Sequence, residues 1–346
     1  MSIQTYSSTI RRKEMDAVLT CMVDEKTGPG ELNVRLVQQV KDYFKAAGAV
    51  ALRSPALALK YALVALGTES GSGIMVSALA PDWQYSAVLD AGYKPVVLDV
   101  DEETLLVTED AIREGMKKGG RVLLFHETSG FLPDFSALLG IGVPVIEDIS
   151  QSAGASEDDK KAGSFGVFSI LGLEQDDILT AGGGAVLIAP QPREWTVLKS
   201  IADELPSTDK LPDINSALAF VQLKELDRNE LIRKEMKEAY SRSLMQGRYK
   251  TILEKYDGAV SAVYSFPVVL TGDVKDVKEY ALRKEIETDE TFRGSIVFCR
   301  RKSDDAEINS CIKAMSLSLR CLNFPLYPRL GNTQSVKVAK VLSTLP

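Results

Sequence analysis

Between Asn33 and Glu147 short apolar runs alternate with segments of helical periodicity, and this alternation limits the fold more than any other feature of the chain. Helical patterning fills Asn33 to Ala47 and Ala56 to Leu66. The apolar runs are Gly73 to Ser77, Pro95 to Asp99, Arg121 to Phe125 and Pro144 to Glu147, each bounded by glycine, proline or charge. Between them lie the helical stretches Gln84 to Ala91, Thr108 to Lys117 and Asp134 to Leu139. Strands buried on both faces read as short apolar runs, and parallel neighbours need helical crossovers. The expected fold is therefore α/β, a doubly wound and mainly parallel sheet with helices on both faces.

Beyond this unit the pattern changes. A charged helical segment runs from Ile214 to Leu244, followed by a strand over Ala259 to Leu270 and a helix over Val274 to Ile286. Ser295 to Cys299 reads as a further strand and Thr333 to Leu345 as a closing helix. With 346 residues, 45% of them hydrophobic, two units are expected: a large α/β domain over 1–248 and a smaller α+β domain over 249–346. The formal charge of −7 argues against nucleic acid and anionic membranes as partners. No apolar run approaches the roughly 20 residues of a membrane span, and Met1 to Arg12 holds no secretory-type apolar segment. Cys21, Cys299, Cys311 and Cys321 are widely spaced, which suits reduced thiols in a cytoplasmic protein. The single histidine, His126, lowers the prior for a metal site, and none is expected.

Several segments, in order along the chain, resemble the DegT/DnrJ/StrS family of pyridoxal-phosphate (PLP) enzymes, which aminate keto groups on nucleotide-linked sugars. Ala91-Gly-Tyr-Lys-Pro-Val-Val-Leu-Asp-Val-Asp101 is similar to the family's A-G-A-x-P-V-F-V-D-V-D, and Pro144-Val-Ile-Glu-Asp-Ile-Ser-Gln151 to its P-V-I-E-D-A-A-Q. Phe168-Ser169 and Gly183-Gly-Ala-Val186 resemble the flanks of its lysine loop, and Asn215 to Asp227 its Q-A-A-x-G-x-x-Q-L-x-x-L-D helix. Asn323-Phe-Pro-Leu-Tyr-Pro328 resembles S-L-P-L-H-P. The resemblance implies the aspartate-aminotransferase-like architecture called fold type I, with a small C-terminal domain and a homodimeric assembly.

It also implies a site. Asp148 would pair with the pyridine nitrogen of the cofactor, Gln151 would contact the ring hydroxyl, and Ser54 and Ser169 would remain from the phosphate cradle. The Schiff-base lysine of the pattern F-S-F-x-x-T-K-N has no counterpart. Counting from Phe168 puts Glu174 at its place, and no lysine occurs between Lys161 and Lys199. A carboxylate cannot form an imine, so covalent cofactor binding is expected to be absent. In Ser54-Pro-Ala-Leu-Ala-Leu59, Pro55 and Ala56 replace the glycine and threonine of S-G-T-A-A-L, losing an N–H and a hydroxyl. The pattern V-P-A-x-T-[FWY]-x-A-T sets its ring-stacking aromatic at Pro81, leaving Trp83 and Tyr85 nearby. The long loop that serves the partner subunit is shortened to Lys199–Pro212, and no H-Y-P segment stands near Ser295 to Arg301.

Other signals read as structural: His126 at a strand end, Gly182-Gly-Gly184 as a turn before a strand, and Lys117-Lys118 and Arg300-Arg-Lys302 as solvated charge. Glu147 and Asp148 could meet Glu174 as an acid pair with raised pKa. Two readings follow. One is a non-catalytic homologue that binds a sugar nucleotide or a partner enzyme of polysaccharide assembly, with its old pocket filled by side chains such as Leu173 or Trp83. The other is an enzyme that uses non-covalent PLP or its pyridoxamine form (PMP) on a keto sugar, aminotransferase or dehydratase in type, with Glu174 as base and a donor-rich pocket at Ser54, Asp148 and Ser169.

Overall fold

The computed structural model describes residues 2–252, 256 and 258–346, so Met1 and residues 253–255 and 257 lie outside the described residues. Its main sheet has seven strands in the order Gly48–Leu52, Ala185–Ala189, Phe168–Gly172, Val145–Asp148, Gly120–His126, Gly73–Ser77, Lys94–Leu98. Six of the seven run in one direction; Ala185–Ala189 is antiparallel to both its neighbours. The central strands are buried along their whole length because helices cover both faces. The sheet thus has the mostly parallel α/β character expected from the sequence.

The helices around it are fixed by local chemistry. Ser54 accepts from the Leu57 amide at 3.2 Å, and Pro55 sits at the first position of Pro55–Ala65, where a missing N–H costs nothing. Thr108 caps Glu109–Lys117 in the same way. Glu31–Phe44 begins at Gly30 without a side-chain cap of its own. Its free amides are met from elsewhere: Asp213 accepts from Gly30, Leu32 and Asn33 at 2.8, 3.1 and 2.9 Å.

Three expected elements differ from what is observed. The segment from Ile214 to Leu244 is two helices, Asp213–Lys224 and Leu226–Leu244, broken at Glu225. Leu226 lies in the core under the main sheet, whereas Tyr240 and Leu244 belong to a second core, so the chain bends between them. The run Ala259 to Leu270 is not one strand. Ala259–Val260 joins a three-stranded sheet, Phe266–Val269 joins a separate four-stranded antiparallel sheet, and the turn of chain between them docks on Gly130 and Glu230. Ser295 to Cys299 is a short helix, Ile296–Cys299, capped by the Ser295 hydroxyl. Its apolar residues are buried either way, and a run this short carries no periodicity to separate the two forms.

The second core gathers Ile3, Tyr240, Phe266, Phe324 and Leu342 around the four-stranded sheet. Ile296, Val297, Ala314 and Leu317 pack instead with the first core, so late residues return to the large sheet. No helix among the described residues is long and apolar enough to cross a membrane.

Candidate functional site

Asp148 ends its strand at the carboxyl edge of the parallel sheet, where α/β folds place ligands. Its side chain is 0% exposed and fully committed. One oxygen, Oδ2, accepts from Gln84 Nε2 at 2.6 Å and from His126 Nδ1 at 2.9 Å. The other, Oδ1, accepts from the Ser150 amide at 3.1 Å and from the Ser150 hydroxyl. Burial pushes this carboxyl up, but His126 and Ser150 outweigh it and hold it below the ordinary aspartate range. His126 is 2% exposed, and its Nε2 has no partner among the described residues. Gln84, which the sequence did not single out, stands where the pattern V-P-A-x-T-[FWY]-x-A-T closes on threonine. The longer amide is what reaches Asp148.

Glu147 turns away from the cavity. It accepts from the amides of Gly163, Phe165 and Gly166 at 2.8, 2.9 and 2.5 Å. The acid pairing expected with Glu174 is made by Glu127 instead. Burial and then the charge of Glu147 push the Glu127 carboxyl well above the usual range, and both its oxygens are buried without a hydrogen-bond partner among the described residues.

The loop from Leu173 to Gly184 is tied in place at several points. Leu173, a core residue, donates to Gly184 and accepts from Ala181 and Gly183. Gly182, Gly183 and Gly184 all have positive φ, 71°, 134° and 117°, which makes the triplet a turn as its composition suggests. Glu174 is exposed, and its carboxylate folds back to accept from the Gly184 amide at 3.3 Å. Asp177 lies half-buried with Oδ2 accepting from the Glu174 amide at 2.8 Å. A side chain at Gly172 would run into Asp177 and the Ser150 hydroxyl, so the Asp177 carboxyl comes close to the Asp148 network. Burial, then the charge of Asp148, raise the Asp177 pKa well above its usual value. From outside, Tyr264 donates to the Asp176 carbonyl at 2.6 Å and Tyr6 to the Gln175 carbonyl.

The remaining sequence-derived residues are dispersed. Ser54 spends its hydroxyl on the helix cap, and Ser169 donates to the Gly163 carbonyl at 2.8 Å. Gln151 accepts from the Ser129 amide at 2.7 Å and lines a cavity of about 630 Å³ together with Glu174 and Trp83. Asp148, Ser169 and Ser54 do not line it. Five acidic residues, Glu174, Asp176, Asp177, Asp289 and Glu290, line this cavity with two arginines, Arg233 and Arg293; Glu290 is paired with Lys278 at 2.8 Å. Neither lysine nor histidine contributes to its walls among the described residues.

The chain matches the sequence profile of the DegT/DnrJ/EryC1/StrS aminotransferase family over residues 8–343. Its fold is similar to that of the aminotransferase TlmJ from Streptoalloteichus hindustanus, with a TM-score of 0.88 at 18% identity over 99% of this chain and 98% of that one. An aminotransferase from Psychrobacter cryohalolentis superposes with a TM-score of 0.85 at 19% identity, covering 97% of each chain. GDP-4-keto-6-deoxymannose-3-dehydratase with bound GDP-perosamine gives 0.84 at 18% identity over 98% of this chain and 99% of that one. These likenesses show the fold, and the profile shows the lineage: the protein belongs to the DegT/DnrJ/EryC1/StrS aminotransferase family.

Proposed function

We propose that this chain is a family member that has left Schiff-base chemistry and keeps its cavity as a binding site for a sugar-type ligand. The observation that carries the reading is the absence of lysine from the cavity walls, with Glu174 at the family's lysine position and hydrogen-bonded into its own loop. An imine needs an amine, and none is within the site.

The other parts do not fit pyridoxal phosphate either. A pyridinium would need the Asp148 Oδ2 that already accepts from Gln84 and His126. Of the two hydroxyls the phosphate would need, Ser169 donates its own to the Gly163 carbonyl, while Ser54 accepts from the Leu57 amide as a helix cap and lies outside the cavity walls. Gln84 is bonded to Asp148, and Asp177 lies close to the same network. Trp83 instead lines the open cavity, where an indole face suits the apolar face of a sugar ring. Hydroxyl and amide groups of Thr128, Ser129, Gln151, Thr180, Gln222 and Asn323 supply polar contacts around it. A homodimer and a role in polysaccharide assembly remain part of the proposal on family grounds.

The test is an absorbance titration of the purified chain with pyridoxal phosphate, then borohydride reduction and mass analysis. No adduct and no saturable spectral change are expected. A covalent adduct on any lysine would overturn the reading. A saturable change without an adduct would favour the rival, a non-covalent PLP or PMP enzyme with Glu174 as base.

A further inference from the structure

The cavity holds one buried cation whose hydrogen-bonding capacity is unspent. Arg233 projects from the helix Leu226–Leu244, is 8% exposed, and lines the cavity. Its Nη1 is buried with no hydrogen-bond partner among the described residues. The nearest compensating charge is Glu230, one turn back on the same helix. Its Oε1 accepts from the Val263 amide at 2.8 Å and lies 3.7 Å from Lys234 Nζ, while its Oε2, like Arg233 Nη1, is buried without a hydrogen-bond partner among the described residues. The neighbouring tyrosines Tyr6 and Tyr264 donate their hydroxyls to the carbonyls of Gln175 and Asp176, and neither oxygen accepts from Arg233 Nη1. A buried guanidinium with an unmet N–H is costly, and an anion brought by a ligand would relieve that cost.

The surroundings narrow the anion. Glu174 and Asp289 line the same cavity, Glu290 is already paired with Lys278 at 2.8 Å, and a multiply charged phosphate or diphosphate meets more repulsion from these acidic side chains than a single carboxylate does. A single planar carboxylate on an otherwise neutral polyol matches one free guanidinium edge, the hydroxyl-rich lining and the Trp83 face. We propose that Arg233 is the anchor of a carboxylate-binding subsite, and that the ligand class of this cavity is a uronic-acid-type sugar. The assignment rests on the sugar-binding reading above and adds to it the acidic group and the residue that holds it.

Calorimetry on the full chain tests this with D-glucuronate and D-galacturonate, each paired with its neutral amide, alongside D-glucose and UDP-glucose. Trp83 fluorescence is a parallel readout. A charge-assisted hydrogen bond to a buried guanidinium predicts about a 10- to 150-fold preference for at least one uronate over its amide. In Arg233→Met the preference should collapse while binding of the neutral amide persists. Arg233→Lys, which keeps the charge, should retain part of it. The uronate and amide comparison on the unaltered chain stands even if neither variant folds. Equal binding of uronate and amide, or a preference that survives Arg233→Met, overturns the Arg233 assignment and leaves the sugar-binding reading intact. Tighter binding of UDP-glucose than of either uronate overturns the assignment as well. No binding of any of these sugars overturns both.

Discussion

Asp148→Asn is the substitution that weighs the buried network most directly. The carboxylate is wholly inside and accepts four hydrogen bonds, from Gln84, His126 and the amide and hydroxyl of Ser150. An asparagine keeps the shape and one acceptor oxygen, but its NH2 must face two of these donors. If it faces Gln84 and His126, two buried donors lose their acceptor; if it faces Ser150, the turn after the strand loses its anchor. Leaving a buried donor unmet costs about 1–3 kcal/mol, and breaking a buried charged pair about 3–5 kcal/mol. We expect Asp148→Asn to lower unfolding stability by about 3–5 kcal/mol at pH 6, read by urea titration with circular dichroism at constant slope. Gln84→Met removes one donor and should cost less, about 1–3 kcal/mol. The two losses should fall short of additivity because the residues share a bond. The pH dependence has a definite sign. The folded-state pKa of Asp148 is depressed, so its contribution is present above the ordinary aspartate value and is lost as pH falls below about 4 through the folded value. The gap between wild type and Asp148→Asn should therefore narrow at acid pH. A loss under about 1 kcal/mol at pH 6, or a gap that widens on acidification, would refute the account of a charged and saturated carboxylate.

Two further perturbations probe the frame around the site. Glu127 has a raised folded-state pKa, so its stabilising contribution is present below the ordinary glutamate value and is lost as pH rises through the raised value. Glu127→Gln should accordingly flatten the decline of thermal stability from about pH 5 upward, and an unchanged slope in a melting series would contradict the raised Glu127 pKa. Asp213→Ala deprives the amides of Gly30, Leu32 and Asn33 of their acceptor and should cost about 2–4 kcal/mol by urea unfolding, since charge-assisted bonds are worth about 1.5–3 kcal/mol each and do not add fully. A cost near zero would mean that solvent meets those amides equally well.

The parts of the fold that were legible in the sequence are those whose signal is local. Gly73–Ser77 is a buried apolar run between glycine and a turn, and its observed bounds are those read from the residues. Asp148 was findable because a strand-end carboxylate has a fixed place in an α/β sheet. Its partners were not, since Gln84 lies 64 residues away in sequence and meets it only through the crossover geometry. The Ile214 to Leu244 segment reads as one helix because nothing in Glu225 itself forbids helix; the break comes from the two cores claiming the two halves. Arg233 was hidden for a related reason. It sits in a charged helix where solvated side chains are the rule, and only the arrival of Tyr6 and Tyr264 from distant segments brings it inside.

Glu174 and Gln84 bear on each other through Asp148. In the family pattern the carboxylate after the P-V-I-E strand faces a cationic ring, and a buried carboxylate that gives up such a partner is left uncompensated at a cost of several kcal/mol. On the proposed reading, loss of the lysine at position 174 makes that partner dispensable, and the fold stays stable only if protein donors replace it. Gln84 Nε2 at 2.6 Å and His126 Nδ1 at 2.9 Å are such donors. Placing a lysine at position 174 alone should then fail to create a cofactor site, because the acceptor oxygen stays occupied. On the proposed reading, the loss of the amine and the closing of the pyridine position are two halves of one change. The cavity lies beyond that closed position, with Arg233 turned toward it, and any ligand chemistry the chain retains belongs there.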